Sequence, residues 1–159
     1  MSWTTEWVGS IAIVESAPSG GSVGDLDGLV SSDGDVVVIV CHGTVHADTE
    51  LEIPANRVVL AVSGELRDGA LALARQSALI LATEGATFVD NGRDHGTSFA
   101  AALVDRLSVG EVARMSLTRE PLGASDAERL GLIDRILPDA SLRQEAISAA
   151  HLIAEVDDC

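Results

Sequence analysis

The chain has 159 residues, 25 of them acidic and 10 basic, for a formal charge of −15. That balance repels nucleic acid and anionic membranes, so neither is an expected partner. All the basic residues are arginine, which rules out Schiff-base chemistry on a lysine. The length and the 47% hydrophobic content suit one domain, residues 1–159, with a sizeable core. No apolar run nears the ~18 residues that span a membrane, and Met1 to Trp7 lacks the basic and apolar regions of a signal peptide. A cytoplasmic location is the expectation.

In chain order, Val8 to Val14 reads as a first strand. Pro18 to Asp35 reads as a loop with at most a short helix around Leu26 to Val30. The β-branched run Val36-Val37-Val38-Ile39-Val40-Cys41 is the pattern of a strand covered on both faces. Cys41 at its end reads as a free buried thiol, since two cysteines make no disulfide framework. Val58 to Val62 is a second such run. It is followed by a turn from Ser63 to Gly69, a short helix from Ala70 to Ser77 and a third apolar strand from Ala78 to Thr83. Ser98 to Leu117 reads as helical with a break near Ser108. Ser108-Val109-Gly110-Glu111 and Ser125-Asp126-Ala127-Glu128 both have the Ser-x-x-Glu form that starts helices, and Gly131 is placed to end the second. Leu132 to Leu137 reads as a strand stopped by Pro138. Ser141 to Val156 reads as an amphipathic helix whose apolar face (Leu142, Ile147, Ile153, Val156) faces the core or another subunit.

Ala61-Val62-Ser63-Gly64 through Gly69 to Ala86-Thr87-Phe88 resembles, without a gap, the alanine-valine-asparagine-glycine to alanine-x-phenylalanine segment of the enoyl-CoA hydratase/isomerase (crotonase) superfamily. Leu107 to Gly110, Leu117 to Glu120, Ala124 to Ala127 and Gly131 to Pro138 resemble that family's later signature. The likeness is good over about half the chain and loose over the first 56 residues. It implies an α/β fold, a minimal crotonase-like (ClpP/crotonase) spiral of ββα turns, and a homo-oligomer, a trimer by resemblance. Compared with the family, the helix between the first two strands is reduced, the segment from Gly43 to Arg57 is short, and the chain stops soon after the helix following Pro138. In the family those regions hold coenzyme A and complete the trimer.

The resemblance also implies an oxyanion hole, two backbone N–H groups that polarise a thioester carbonyl. Gly69 falls on the second donor, at a helix start where the macrodipole favours negative charge. Val45-His46-Ala47-Asp48 resembles the alanine-glycine-x-aspartate motif, so Val45 or His46 is the candidate first donor. The family's two glutamates fall on Ala72 and Gly92, which transfer no proton. Replacement acid/base groups are therefore sought nearby: Asp94, with His95 and Asp90 in support, and His46. Asp68 and Arg67, beside Gly69, are candidate substrate-binding residues. The plainer alternative is that Asp94 or Thr97 caps the next helix and Arg93 pairs on the surface. His42 and His151 read as structural, and four scattered histidines give no metal-ligand spacing. There is no Gly-Lys-Ser/Thr phosphate loop and no nucleophilic serine with a matching histidine, so protease chemistry is not expected.

Two functions follow as expectations. One is an enzyme that stabilises the enolate of an acyl thioester in isomerisation, decarboxylation, elimination or cyclisation in specialised biosynthesis, and is not an ordinary hydratase. It requires no cofactor beyond the coenzyme A or pantetheine that its substrate carries, free or on an acyl carrier protein. The other is a non-catalytic homologue that supports a partner enzyme.

Overall fold

The computed structural model describes residues 3–22, 36–47, 57–91 and 99–157. The expected short helix around Leu26 to Val30 lies outside them.

The buried strands expected from the apolar runs are present and join a sheet larger than the sequence suggests. Strands β1 (Trp3–Val8), β2 (Ile11–Ser16), β4 (Val36–Cys41), β6 (Arg57–Val62), β8 (Ser77–Ala82) and β11 (Arg135–Ile136) form one sheet, in the order β1-β2-β4-β6-β8-β11. All its pairings are parallel except the β1/β2 hairpin. The single strand expected over Val8 to Val14 is thus two. Gly9, at φ 63°, makes the left-handed turn between them, and the hydrophobic pattern of Ile11 to Val14 belongs only to the second.

β4 shows why a continuous β-branched run forms. Val37, Ile39 and Cys41 enter the main core between the two sheets, while Val36, Val38 and Val40 enter a second core under a helix on the far face. Each residue of β4 is buried. The covering helix is α4 (Asp139–Asp157), which buries Leu142, Ala146, Ile147 and Ala150 there. Val156, assigned to that face by periodicity, is 71% exposed in the last turn of α4.

A second, smaller sheet crosses the ends of the first. β3 (Gly20–Ser22), β5 (Thr44–Ala47), β7 (Glu65–Asp68), β9 (Thr87–Val89) and β10 (Leu122–Gly123) make it in the order β10-β9-β7-β5-β3. The chain therefore coils: long strand, corner, short strand, return. This is the ββα spiral that the resemblance implies. The stretch Ser63 to Gly69, expected to be a turn, supplies a corner at Ser63-Gly64 and then β7. Hydrogen bonds carry the ladder round the corners, with Glu65 N–H donating to the Gly43 carbonyl (2.8 Å) and Thr87 N–H to that of Gly64 (2.9 Å). The corners stack so closely that a Cβ on Gly64 would lie 2.1 Å from the Gly43 carbonyl oxygen.

The returning segments are helical. Gly69–Leu71 is a 3-10 turn leading into α1 (Ala72–Gln76), and Ala100–Leu103 is a second 3-10 turn. α2 (Val109–Thr118) is capped as expected, with Ser108 Oγ accepting the Glu111 N–H. α3 (Ala124–Leu130) departs from expectation: Gly123 is its N-cap and Ser125 lies within the helix. Gly131 ends it at φ 94°. Of the strand expected over Leu132 to Leu137, the strand proper is Arg135–Ile136, flanked by the Asp134 and Leu137 N–H groups donating to the Ile80 and Ala82 carbonyls (2.8 Å each), because Leu132 and Ile133 turn into the core.

Candidate functional site

The smaller sheet ends where the resemblance places the reacting oxygen. Along β7 the side chains alternate: Leu66 points into the main core, while Glu65 and Arg67 take the opposite face and pair at 3.0 Å (Oε1 to Nε). At Asp68 the backbone takes φ 57° and ψ −126°, and Gly69 then opens the buried 3-10 turn. The first N–H groups of such a turn have no acceptor within it. Gly69 is thus where the sequence expected it, at the head of a helical segment.

The partner strand β5 carries the candidate first donors Val45 and His46. Val45 is paired with Gly21 on one side and Leu66 on the other, so its N–H lies inside the sheet. The position facing the Asp68–Gly69 step is the strand's last residue, Ala47, in register with Asp68. That register depends on pairing with β7 and leaves no local signal in the sequence. His46 is exposed and stands beside Arg67 on the face away from the core. The two therefore lie across the sheet from the buried Gly69 turn.

Asp90 follows β9 directly and is 2% exposed. Its Oδ2 accepts the Ala100 N–H (2.9 Å) and the Ser116 hydroxyl (3.0 Å). It anchors the second 3-10 turn and α2, a role the sequence reading did not assign. Asp68 Oδ1 accepts the Asn91 N–H at 2.6 Å. The expected catalytic residues Asp94 and His95, and Gly92 with them, lie outside the described residues. Ala72, in the first glutamate position, is buried and presents only a methyl group.

Other polar groups lie elsewhere. His42 is structural as expected: its Nε2 meets Glu15 Oε2 at 2.6 Å, while Arg143 of α4 donates to Glu15 Oε1 (3.0 Å) and Glu6 Oε2 (2.6 Å). Burial opposes the charge on Arg143, but these carboxylates outweigh it and hold the guanidinium pKa above its ordinary value. His151 is exposed on α4. A cavity of about 420 Å³ opens between Thr83, Glu84, Gly85 and Ile136 to Asp139, at the far edge of the larger sheet. None of its lining residues belongs to the strand ends around Gly69. Among the described residues, no three of His, Cys, Asp and Glu are grouped to hold a metal ion, and no helix is long and apolar enough to cross a membrane.

Comparison with known proteins fits this geometry. A sequence model of the family described as Enoyl-CoA hydratase/isomerase matches residues 44–158. A mitochondrial enoyl-CoA hydratase from Pongo abelii is 36% identical over 101 residues, which are 61% of this chain and 35% of that protein. The match thus spans about a third of the curated relative. An enoyl-CoA hydratase structure from Mycobacterium tuberculosis H37Rv superposes with a TM-score of 0.79 at 21% identity, covering 96% of this chain and 82% of that one. A putative short-chain enoyl-CoA hydratase from Novosphingobium aromaticivorans gives 0.78 at 20% identity, covering 96% and 74%. At such identities the superpositions establish the fold.

Proposed function

We propose, from the premise that this chain belongs to the enoyl-CoA hydratase/isomerase family, that it binds an acyl thioester and stabilises its enolate at the Gly69 N–H. The observation that carries this reading is the Asp68–Gly69 step itself. A buried 3-10 turn, whose first N–H groups have no acceptor within the turn itself, begins where β5 and β7 both end. A hydrogen-bond donor aimed at the developing oxyanion contributes roughly 2.7–4 kcal/mol to the transition state. The second donor is a backbone N–H near the end of β5, with Val45 or His46 the candidate.

The chemistry proposed is isomerisation, decarboxylation, elimination or cyclisation in a specialised biosynthetic pathway. Ala72 and Gly92 have no proton to give, which disfavours ordinary hydration. Asp94 and His95 are the proposed acid/base pair, with Asp68 near the substrate. The acyl group is carried by coenzyme A, pantetheine or an acyl carrier protein, and the enzyme acts in the cytoplasm as a homo-oligomer, a trimer by family resemblance. The alternative is a non-catalytic homologue that supports a partner enzyme. It is favoured by Asp90, whose carboxylate is already committed to Ala100 and Ser116.

Exchange of the α-proton of butyryl-pantetheine in deuterated water tests the proposal, because it reports enolate formation whatever the final reaction. The enzyme reading expects exchange above the buffer rate that disappears in Asp94→Asn. Exchange at the buffer rate, with no binding of the thioester, supports the non-catalytic reading.

A further inference from the structure

Asp68 adopts a backbone conformation that belongs to glycine. Its φ of 57° and ψ of −126° are those of the first central residue of a mirror-image turn, where a Cβ is strained. Such conformations persist only where the surroundings impose them. The pairing of β7 with β9 ends at Arg67↔Val89, and just past that end the Asp68 carboxylate takes the Asn91 N–H at 2.6 Å. A side chain thereby extends the ladder where the twisted backbone leaves it. The neighbouring Asp90 grips Ala100 and Ser116, so the exit of β9 is held from two sides.

We infer that Asp68 is a positioning residue: by holding the Asn91 N–H, its carboxylate locks its own peptide in the glycine-type conformation and so sets the direction of the Gly69 N–H. This rests on the reading above only in taking Gly69 as the donor to the substrate. The acceptor oxygen is the operative feature, so asparagine preserves the effect. Glycine permits the conformation and does not enforce it.

Amide resonances and hydrogen exchange in the full chain test this in Asp68→Asn, Asp68→Gly and Asp68→Ala, each with its thermal midpoint. Asp68→Asn is expected to keep the wild-type Gly69 resonance and a protected Asn91 amide. Asp68→Gly folds without the steric cost, yet its Asn91 amide exchanges about tenfold faster or more and its Gly69 resonance moves. Asp68→Ala shows the same shifts with a lower midpoint than Asp68→Gly. An unchanged Gly69 resonance in Asp68→Gly overturns the inference, as does an Asp68→Asn that matches Asp68→Gly. With butyryl-pantetheine, Asp68→Gly is expected to bind at least about tenfold more weakly than wild type, and equal binding also overturns it. If wild type binds no thioester, the acyl-thioester reading fails, and the Gly69 resonance still decides the role of Asp68.

Discussion

Replacing Asp90 by alanine separates its structural role from a catalytic one. The side chain is 2% exposed and one oxygen accepts two donors, the Ala100 N–H and the Ser116 hydroxyl. A hydrogen bond to a charged group contributes about 1.5–3 kcal/mol, and a buried donor left unpaired costs about 1–3 kcal/mol. Two bonds sharing one oxygen therefore put Asp90→Ala at about 3–5 kcal/mol, a large part of the ~5–15 kcal/mol that holds a typical domain. For a chain of this length that lowers the thermal midpoint by about 6–20 °C. Urea denaturation should show a lower midpoint at unchanged slope. Asp90→Asn, which keeps one acceptor oxygen, should fall between wild type and alanine. Ser116→Ala removes one of the bonds to Asp90, so its loss and that of Asp90→Ala should be less than additive, with a coupling of about 0.5–3 kcal/mol. A loss within ~0.5 kcal/mol for Asp90→Ala, the level of an ordinary surface change, would refute the reasoning and return Asp90 to the list of groups free for proton transfer.

The corners predict a sharp contrast between two glycines. Gly64→Ala forces a Cβ against the Gly43 carbonyl and should cost about 3 kcal/mol or more, whereas Gly85→Ala, with open space around it, should stay within ~0.5 kcal/mol of wild type in the same denaturation assay. Leu60→Ala, on the central strand, should cost about 2–5 kcal/mol by calorimetry. Burial pushes the Cys41 thiol from 9.0 up to about 12. The folded state therefore keeps a proton that the unfolded chain releases above its ordinary pKa. The stability this gives is full below pH ~8.5 and falls by about 1.4 kcal/mol per unit as pH rises toward the folded value. Cys41→Ala should flatten the stability profile between pH 9 and 10.5. In a Cys159→Ser background, a soluble disulfide reagent at pH 8 should find no reactive thiol until the protein unfolds.

The larger sheet was legible because its strands are buried on both faces, and a run such as Val36 to Cys41 announces that without help from the rest of the chain. The smaller sheet was not. Each of its strands buries only one or two residues, Leu66 in β7 and Val45 and Ala47 in β5. Its remaining positions are polar, so with two glycines beside it the segment Ser63 to Gly69 reads as a turn. Ser108 and Ser125 had the same capping form, yet only Ser108 caps, because Gly123 already supplies the extended residue before α3. At the candidate site, Gly69 could be found from its place before an Ala/Leu-rich helix. The strain at Asp68 and the anchoring by Asp90 could not, since their partners lie 10 to 26 residues away along the chain. Asp90 looked free in the sequence for that reason alone.

The most direct test of the account is a crystal structure of the protein soaked with butyryl-pantetheine. The account predicts the thioester oxygen about 3 Å from the Gly69 nitrogen. A thioester bound away from Gly69, such as in the cavity lined by Thr83 and Leu137, or a Gly69 turn closed to the ligand, would contradict it.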